Sequence, residues 1–103
     1  MIIATTDKLP GKEYEVLGMV KGNVVQSKHI GKDLLAGLKN IVGGEVSSYT
    51  QMLSEAREIA TQRMAAEAEA MGADAVLMVR YGSAQIMEST AEIIAYGTAV
   101  KFV

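Results

Sequence analysis

Apolar or small residues recur at Tyr49, Met52, Leu53, Ala56, Ile59, Ala60, Met64, Ala68 and Met71, in steps of three and four. That spacing keeps them on one side of a 3.6-residue helix, and it predicts one long helix over residues 48–71. Glu55, Glu58, Gln62 and Glu69 take the polar face. Ser48 and Gln51 stand in the S-x-x-Q relation of a capping box at the start, and Gly72 suits the left-handed position after the last turn. At ~1.5 Å per residue the helix is about 36 Å long, so it must cross the whole of a domain this small. Tyr49, Ala60 and Met71 recur every eleven residues, a drift that follows a twisted sheet. Arg63 and Glu67 fall beside the stripe at i, i+4 and predict a partly covered ion pair, to which a subunit contact would add a further role.

Period-two patterns surround this helix. Residues 1–6 predict a short edge strand. Tyr14, Val16, Gly18 and Val20 alternate with Glu15, Leu17 and Met19, and Lys21, Gly22 and Asn23 carry turn chemistry before Val24 and Val25. Gly18 inside that strand predicts a bulge. Leu34, Leu35, Leu38, Ile41 and Val42 share one face of a second predicted helix, ended by Gly43 and Gly44. After Gly72 a strand runs to Tyr81, Gly82 and Ser83 mark a turn, residues 84–88 give a further short strand, and residues 92–103 a long last one. That last strand is apolar on both sides. The order β-β-α-α-β-β lacks the helical crossovers of a parallel sheet, so it predicts a mainly antiparallel α+β domain with two helices on one face. Two helices leave the second face bare, and its apolar residues call for a homo-oligomer.

With 103 residues the chain forms a single domain, residues 1–103. Ten basic against 12 acidic residues leave no basic field for nucleic acid. No apolar run reaches the ~20 residues of a membrane span, and the N-terminus lacks a signal-peptide pattern, which predicts a cytoplasmic protein. The chain has no cysteine and one histidine, His29. Disulfides, thiolate nucleophiles and thiolate metal sites are thereby excluded.

The candidate chemistry is sparse. Gly43, Gly44, Ser47 and Ser48 precede or open a helix, where free N–H groups favour an anion, although Glu45 opposes one. Arg57, on the edge of the stripe, is a candidate ligand-binding or ion-pair residue. His29 lies near Ser27 and Asp33, residue types that suggest a triad only if geometry joins them; it is also a candidate metal ligand. Gly97, Thr98 and Ala99 form a smooth face suited to a subunit interface, with Arg63 and Glu67 as further interface candidates. No residue set has the spacing of a catalytic site.

Ile41-Val42-Gly43-Gly44-Glu45, Tyr49, Leu53, Ala56-Arg57, Arg63-Met64, Glu67-Ala68, Gly72-Ala73-Asp74-Ala75-Val76 and Tyr96-Gly97-Thr98-Ala99-Val100 together resemble the YbjQ-like family, as do Leu17-Gly18-Met19-Val20 and the leucines of residues 34–38. The resemblance spans nearly the whole chain. It implies a small α+β subunit assembling into a ring, a pentamer in that family, with a shared central β-barrel. The family is uncharacterised and carries a heavy-metal-binding label, which makes a metal ion a candidate cofactor. A ring could gather His29 or carboxylates from each copy. The expectation is a non-enzymatic, ring-forming protein. Its rivals are a module binding a metal or small anion at subunit interfaces, and an enzyme with an inter-subunit site.

Overall fold

The computed structural model describes residues 1–27, 41–42 and 45–103. In chain order these form β1 (Ile2–Ile3), β2 (Tyr14–Ser27), β3 (Ile41–Val42), β4 (Glu45–Val46), α1 (Ser47–Ala70), β5 (Ala75–Met87) and β6 (Thr90–Phe102). The fold is α+β. Its main sheet has the order β1-β5-β6-β2, while β3 and β4 pair separately. β2, β6 and β5 run antiparallel to their neighbours, and β1 joins β5 in parallel, so the sheet is mixed. The described residues contain one helix. The expected second helix falls on residues 31–42, of which 31–40 lie outside the described residues and Ile41–Val42 are strand.

α1 begins at Ser47, one residue before the expected start. The capping box does not form: Gln51 Nε2 donates to Glu55 Oε1 at 3.3 Å, and Ser48 Oγ is buried without a partner. The other end matches its signal. Gly72 N donates to Glu69 O and Ala73 N to Ala68 O, with Gly72 at φ 81°. These two bonds make a Schellman motif and satisfy carbonyls that the last turn would leave open.

The strands are longer than the turn chemistry implied. β2 runs without a break through Lys21, Gly22 and Asn23, which pair with Tyr96, Ala95 and Ile94. Gly22 marks a crossing instead of a turn. A Cβ there would lie 2.3 Å from both Ala60 O and Met64 N, so only glycine lets the α1 backbone come down onto β2. Likewise β5 continues through Gly82 and Ser83, and the chain reverses at Glu88 and Ser89. The expected irregularity at Gly18 is present as a register shift between Val16 and Gly18.

Burial divides cleanly by period two. Val20, Val24, Ile93, Ala95, Ala99, Val76 and Val79 face α1 and meet Ala56, Ala60, Met64 and Ala68. Three of those four helix residues are alanine, which allows the close approach. On the other face Ala75, Leu77 and Val100 form a smaller cluster, flanked by Ala4, Leu9, Tyr14 and Phe102. The segment after β1 lies over this end of the sheet. It is tied there by Met78 N to Thr6 O, Val79 N to Ala4 O and a bond from the Tyr14 hydroxyl to Asp7 O.

Candidate interaction surface

The sheet face opposite α1 is only partly covered. Beyond the Leu77 and Val100 cluster it presents Val16, Met19 and Val25 from β2 and Tyr96 from β6. Met19 is 70% exposed and Val16 63%. They share a face because β2 and β6 alternate in register, with Met19 opposite Thr98 and Val25 opposite Glu92. Between them lie Lys21, Arg80 and a hydrogen bond from Asn23 Nδ2 to Glu92 Oε2 of 3.2 Å. An apolar set with polar groups at intervals is the composition of a contact surface.

α1 is not centred over the sheet. It packs chiefly on β2 and β6 and has little contact with β5. Two of its polar residues reach past the outer strand: Arg63 Nη1 donates to Asn23 O at 2.7 Å, and Lys21 N donates to Glu67 Oε1 at 3.4 Å. The expected Arg63–Glu67 pair is thus replaced by a clasp in which each side chain takes one free backbone group of an edge strand. An edge satisfied in this way is closed to strand addition at that level. The ion pair among the described residues is Lys101–Asp74, at 3.8 Å, where Asp74 Oδ2 also accepts from Phe102 N at 2.8 Å.

On the β5 side the α1-facing surface beyond Val79 is only lightly covered by the described residues. Tyr81 touches α1 through its hydroxyl, 2.7 Å from Thr61 Oγ1, but is otherwise exposed, as are Ser83 and Gln85, while the register shift after Gln85 turns Met87 to the opposite face. Met78, in the register shift between Leu77 and Arg80, adopts φ 54°, a conformation costing ~1–2 kcal/mol in a residue with a Cβ. Arg80 Nη1 donates to Thr5 O just beyond it. No signal in the sequence pointed to Met78, which reads as an ordinary strand methionine.

The sequence candidates distribute as follows. Gly97 and Ala99 lie beneath α1 inside the subunit, with Ala99 fully buried; Thr98 points to the open face. A Cβ on Gly97 would come within 2.8 Å of Val76 Cγ1. Arg57 is exposed and donates from Nη2 to Ser54 Oγ at 3.1 Å. Ser48 lines a depression of about 300 Å³ with Gln26, Ser27, Gln51, Met52 and Glu55. A second cleft of about 430 Å³ lies between the start of α1 and the β5–β6 turn, where Tyr49 Oη is 3.1 Å from Ser89 Oγ and Glu88 lines the rim. Ser47 is the first residue of α1, while His29, Gly43 and Gly44 lie outside the described residues.

Comparison with known proteins gives a consistent picture. A family model described as "Putative heavy-metal-binding" matches residues 1–103. A UPF0145 protein of Vibrio parahaemolyticus is 59% identical over 104 residues, covering 100% of this chain and 99% of the relative. A UPF0145 protein of Clostridium novyi is 55% identical over 101 residues, covering 98% of each. A crystal structure from Pediococcus pentosaceus, described as a protein of unknown function in the DUF74 family, superposes with a TM-score of 0.67 at 14% identity. It covers 100% of this chain and 98% of that one, and shows a shared fold. The metal label can be weighed against the donors. Heavy metals favour thiolates, this chain has no cysteine, and the described residues include no cluster of three histidine or acidic donors. The described residues of one subunit therefore do not fit a thiolate-type heavy-metal centre. Matched along its whole length and more than half identical to these relatives, the chain belongs to the YbjQ family.

Proposed function

We propose that this protein is a non-enzymatic, cytoplasmic ring-forming homo-oligomer, and that assembly is its principal biochemical property. The apolar open face of the sheet carries this reading. The size of the subunit supports it: a chain of 11.0 kDa would expose ~5,600 Å² as a compact monomer, whereas this subunit exposes 6571 Å². Its radius of gyration is 16.9 Å, against about 13 Å for a compact chain of this length. The surplus is comparable to the ~800 Å² that each partner contributes to a standard interface. A pentamer with a shared barrel is the form that the family resemblance implies.

Native mass spectrometry of tag-free protein tests the reading. A closed ring of one size is the expected species, and a monomer at micromolar concentration would refute it. The family description favours a second reading, in which a metal or small anion sits between subunits. In the same spectrum it requires a ring carrying a reproducible extra mass.

A further inference from the structure

We infer that the open face of the sheet carries a binding site for a phosphate-type oxyanion, built on the row of Lys21, Tyr96 and Arg80. The inference rests on the assembly reading, which turns this face toward other copies, and names the class of ligand that would be held there. Lys21 in β2 and Arg80 in β5 are both direct cross-strand partners of Tyr96 in β6. Residues opposite one another project on the same side of a sheet. One phenol therefore stands between two cations, on the face that also shows Met19 and Val25. Thr98, two residues along β6, adds a second hydroxyl to that side. Lys21 and Arg80 are exposed and Tyr96 is 41% exposed, so the row is within reach of a ligand. It is separate from Gly43, Gly44, Ser47 and Ser48, the anion candidate read from the sequence.

The charges of this row are not balanced within the subunit. The ion pair among the described residues is Lys101–Asp74, and neither the Lys21 ammonium nor the Tyr96 hydroxyl has a hydrogen-bond partner among them. Arg80 directs Nη1 to Thr5 O at 3.2 Å and Val79 O at 2.9 Å, which fixes the guanidinium and leaves its other N–H groups to donate elsewhere. The carboxylate that β2, β5 and β6 project on this face is Glu92, and it accepts from Asn23 Nδ2 at 3.2 Å. The strands thus place two cations against one acid here, in a chain whose net charge is -2. Covering such a face without a counter-charge is strongly unfavourable, because a desolvated cation needs a partner. Open faces that meet, or that line one lumen, bring together further copies of Lys21 and Arg80 and no acid beyond Glu92. A multiply charged anion resolves the imbalance. Its oxygens accept from the ammonium, the guanidinium and the hydroxyls, a donor set suited to phosphate, and cations from neighbouring copies raise its local concentration.

Calorimetric titration of tag-free protein with inorganic phosphate, paired with native mass spectrometry of the same sample, tests the site. Lys21→Gln should weaken phosphate binding about tenfold or more, and Tyr96→Phe several-fold, with the mass of the oligomer unchanged. Lys12→Gln is the control. Lys12 lies over the Phe102 ring, near the other end of β6 from the row and about 20 Å along the strand from Tyr96, so this variant removes the same charge and leaves the binding constant as it was. An intact ring that takes up no phosphate at millimolar concentration overturns the inference and leaves assembly standing. An equal loss in Lys12→Gln and Lys21→Gln also overturns it, since that result reports general charge attraction only. A monomer that binds no phosphate removes the assembly reading and the inference with it, whereas a monomer that binds phosphate through Lys21 refutes assembly alone.

Discussion

The substitution Gly22→Ala isolates the packing on which the subunit depends. The added methyl would stand 2.3 Å from Ala60 O and Met64 N and 2.8 Å from Arg63 C. All three are backbone atoms in the middle of α1, so no side-chain rotation relieves the overlap. α1 must lift by about 1 Å, and a gap of that size forfeits up to roughly half of the dispersion energy between facing atoms. Overpacking of this kind costs ~1–3 kcal/mol. The lift also stretches the 2.7 Å Arg63–Asn23 bond beyond hydrogen-bond range, which for an exposed bond adds about 0.5–1 kcal/mol. A loss near 3 kcal/mol follows, a large part of the ~5–15 kcal/mol that stabilises a small domain. With a urea m-value of ~1.5 kcal/mol/M, the midpoint falls by about 2 M. The assay is circular dichroism in urea at fixed protomer concentration, because the proposed assembly would make stability concentration-dependent. Gly11→Ala is the control: Gly11 has φ 74° and nothing within 4 Å of the added carbon, so it incurs backbone strain without a clash. A Gly22→Ala midpoint no lower than that of Gly11→Ala would show that α1 does not rest on β2 at this point.

Three further outcomes are expected. Ala99→Asp puts a carboxylate among Val76, Ala68 and Met64 at a fully buried position, and the cost of several kcal/mol should leave an unfolded subunit by circular dichroism; a folded variant of any assembly state contradicts that placement. Met19→Glu changes the most exposed apolar residue of the open face, so native mass should shift towards monomer while the far-ultraviolet spectrum stays native; an unchanged ring refutes burial of that face in the assembly. Asp74→Ala leaves Phe102 N–H without its acceptor and lowers stability by about 1 kcal/mol, read as a thermal midpoint ~4–8 °C lower; a change below one degree means that water replaces the carboxylate at no cost.

The long helix was legible because its period extends over more than six turns and Gly72 can serve only one purpose after it. β6 announced its buried face through Ile93, Ala95 and Ala99, which lie under α1, and Gly18 a bulge. Lys21-Gly22-Asn23 misled because a glycine between two polar residues is good turn chemistry and equally good crossing chemistry. The difference resides in Ala60 and Met64, forty residues away, and local pattern carries no such information. The same holds for Arg63 and Glu67. Spacing of four places them side by side on the helix, but the free backbone groups of β2 offer each a partner with no second desolvated charge to bring close. Gly97 and Ala99 are small for a reason internal to the subunit, the close passage of α1 and β5, and a small face looks the same in sequence whichever backbone approaches it. The lateral offset of α1 over the sheet is a tertiary property with no sequence signature.

The edges of the sheet also bear on how the proposed assembly would stop. A sheet with two long open edges would extend indefinitely, since each added copy presents the same edge again. Here neither edge is free along its length. The segment after β1 is bonded to β5 as far as Val79, and Arg63 and Glu67 hold the middle of β2. Met78 bends β5 out of regular register at the point where its covered part ends, and bulges of this type increase local twist. In the proposed assembly, what would remain for contact is side-chain surface on a twisted frame, interrupted by satisfied backbone. Side-chain packing fixes the angle between copies more tightly than a ladder that can slip by two residues, and a fixed angle is the condition for closing a ring. In the proposed ring the clasp would therefore contribute to specificity more than to stability: its two exposed contacts are each worth little, yet they close the middle of the β2 edge to strand addition.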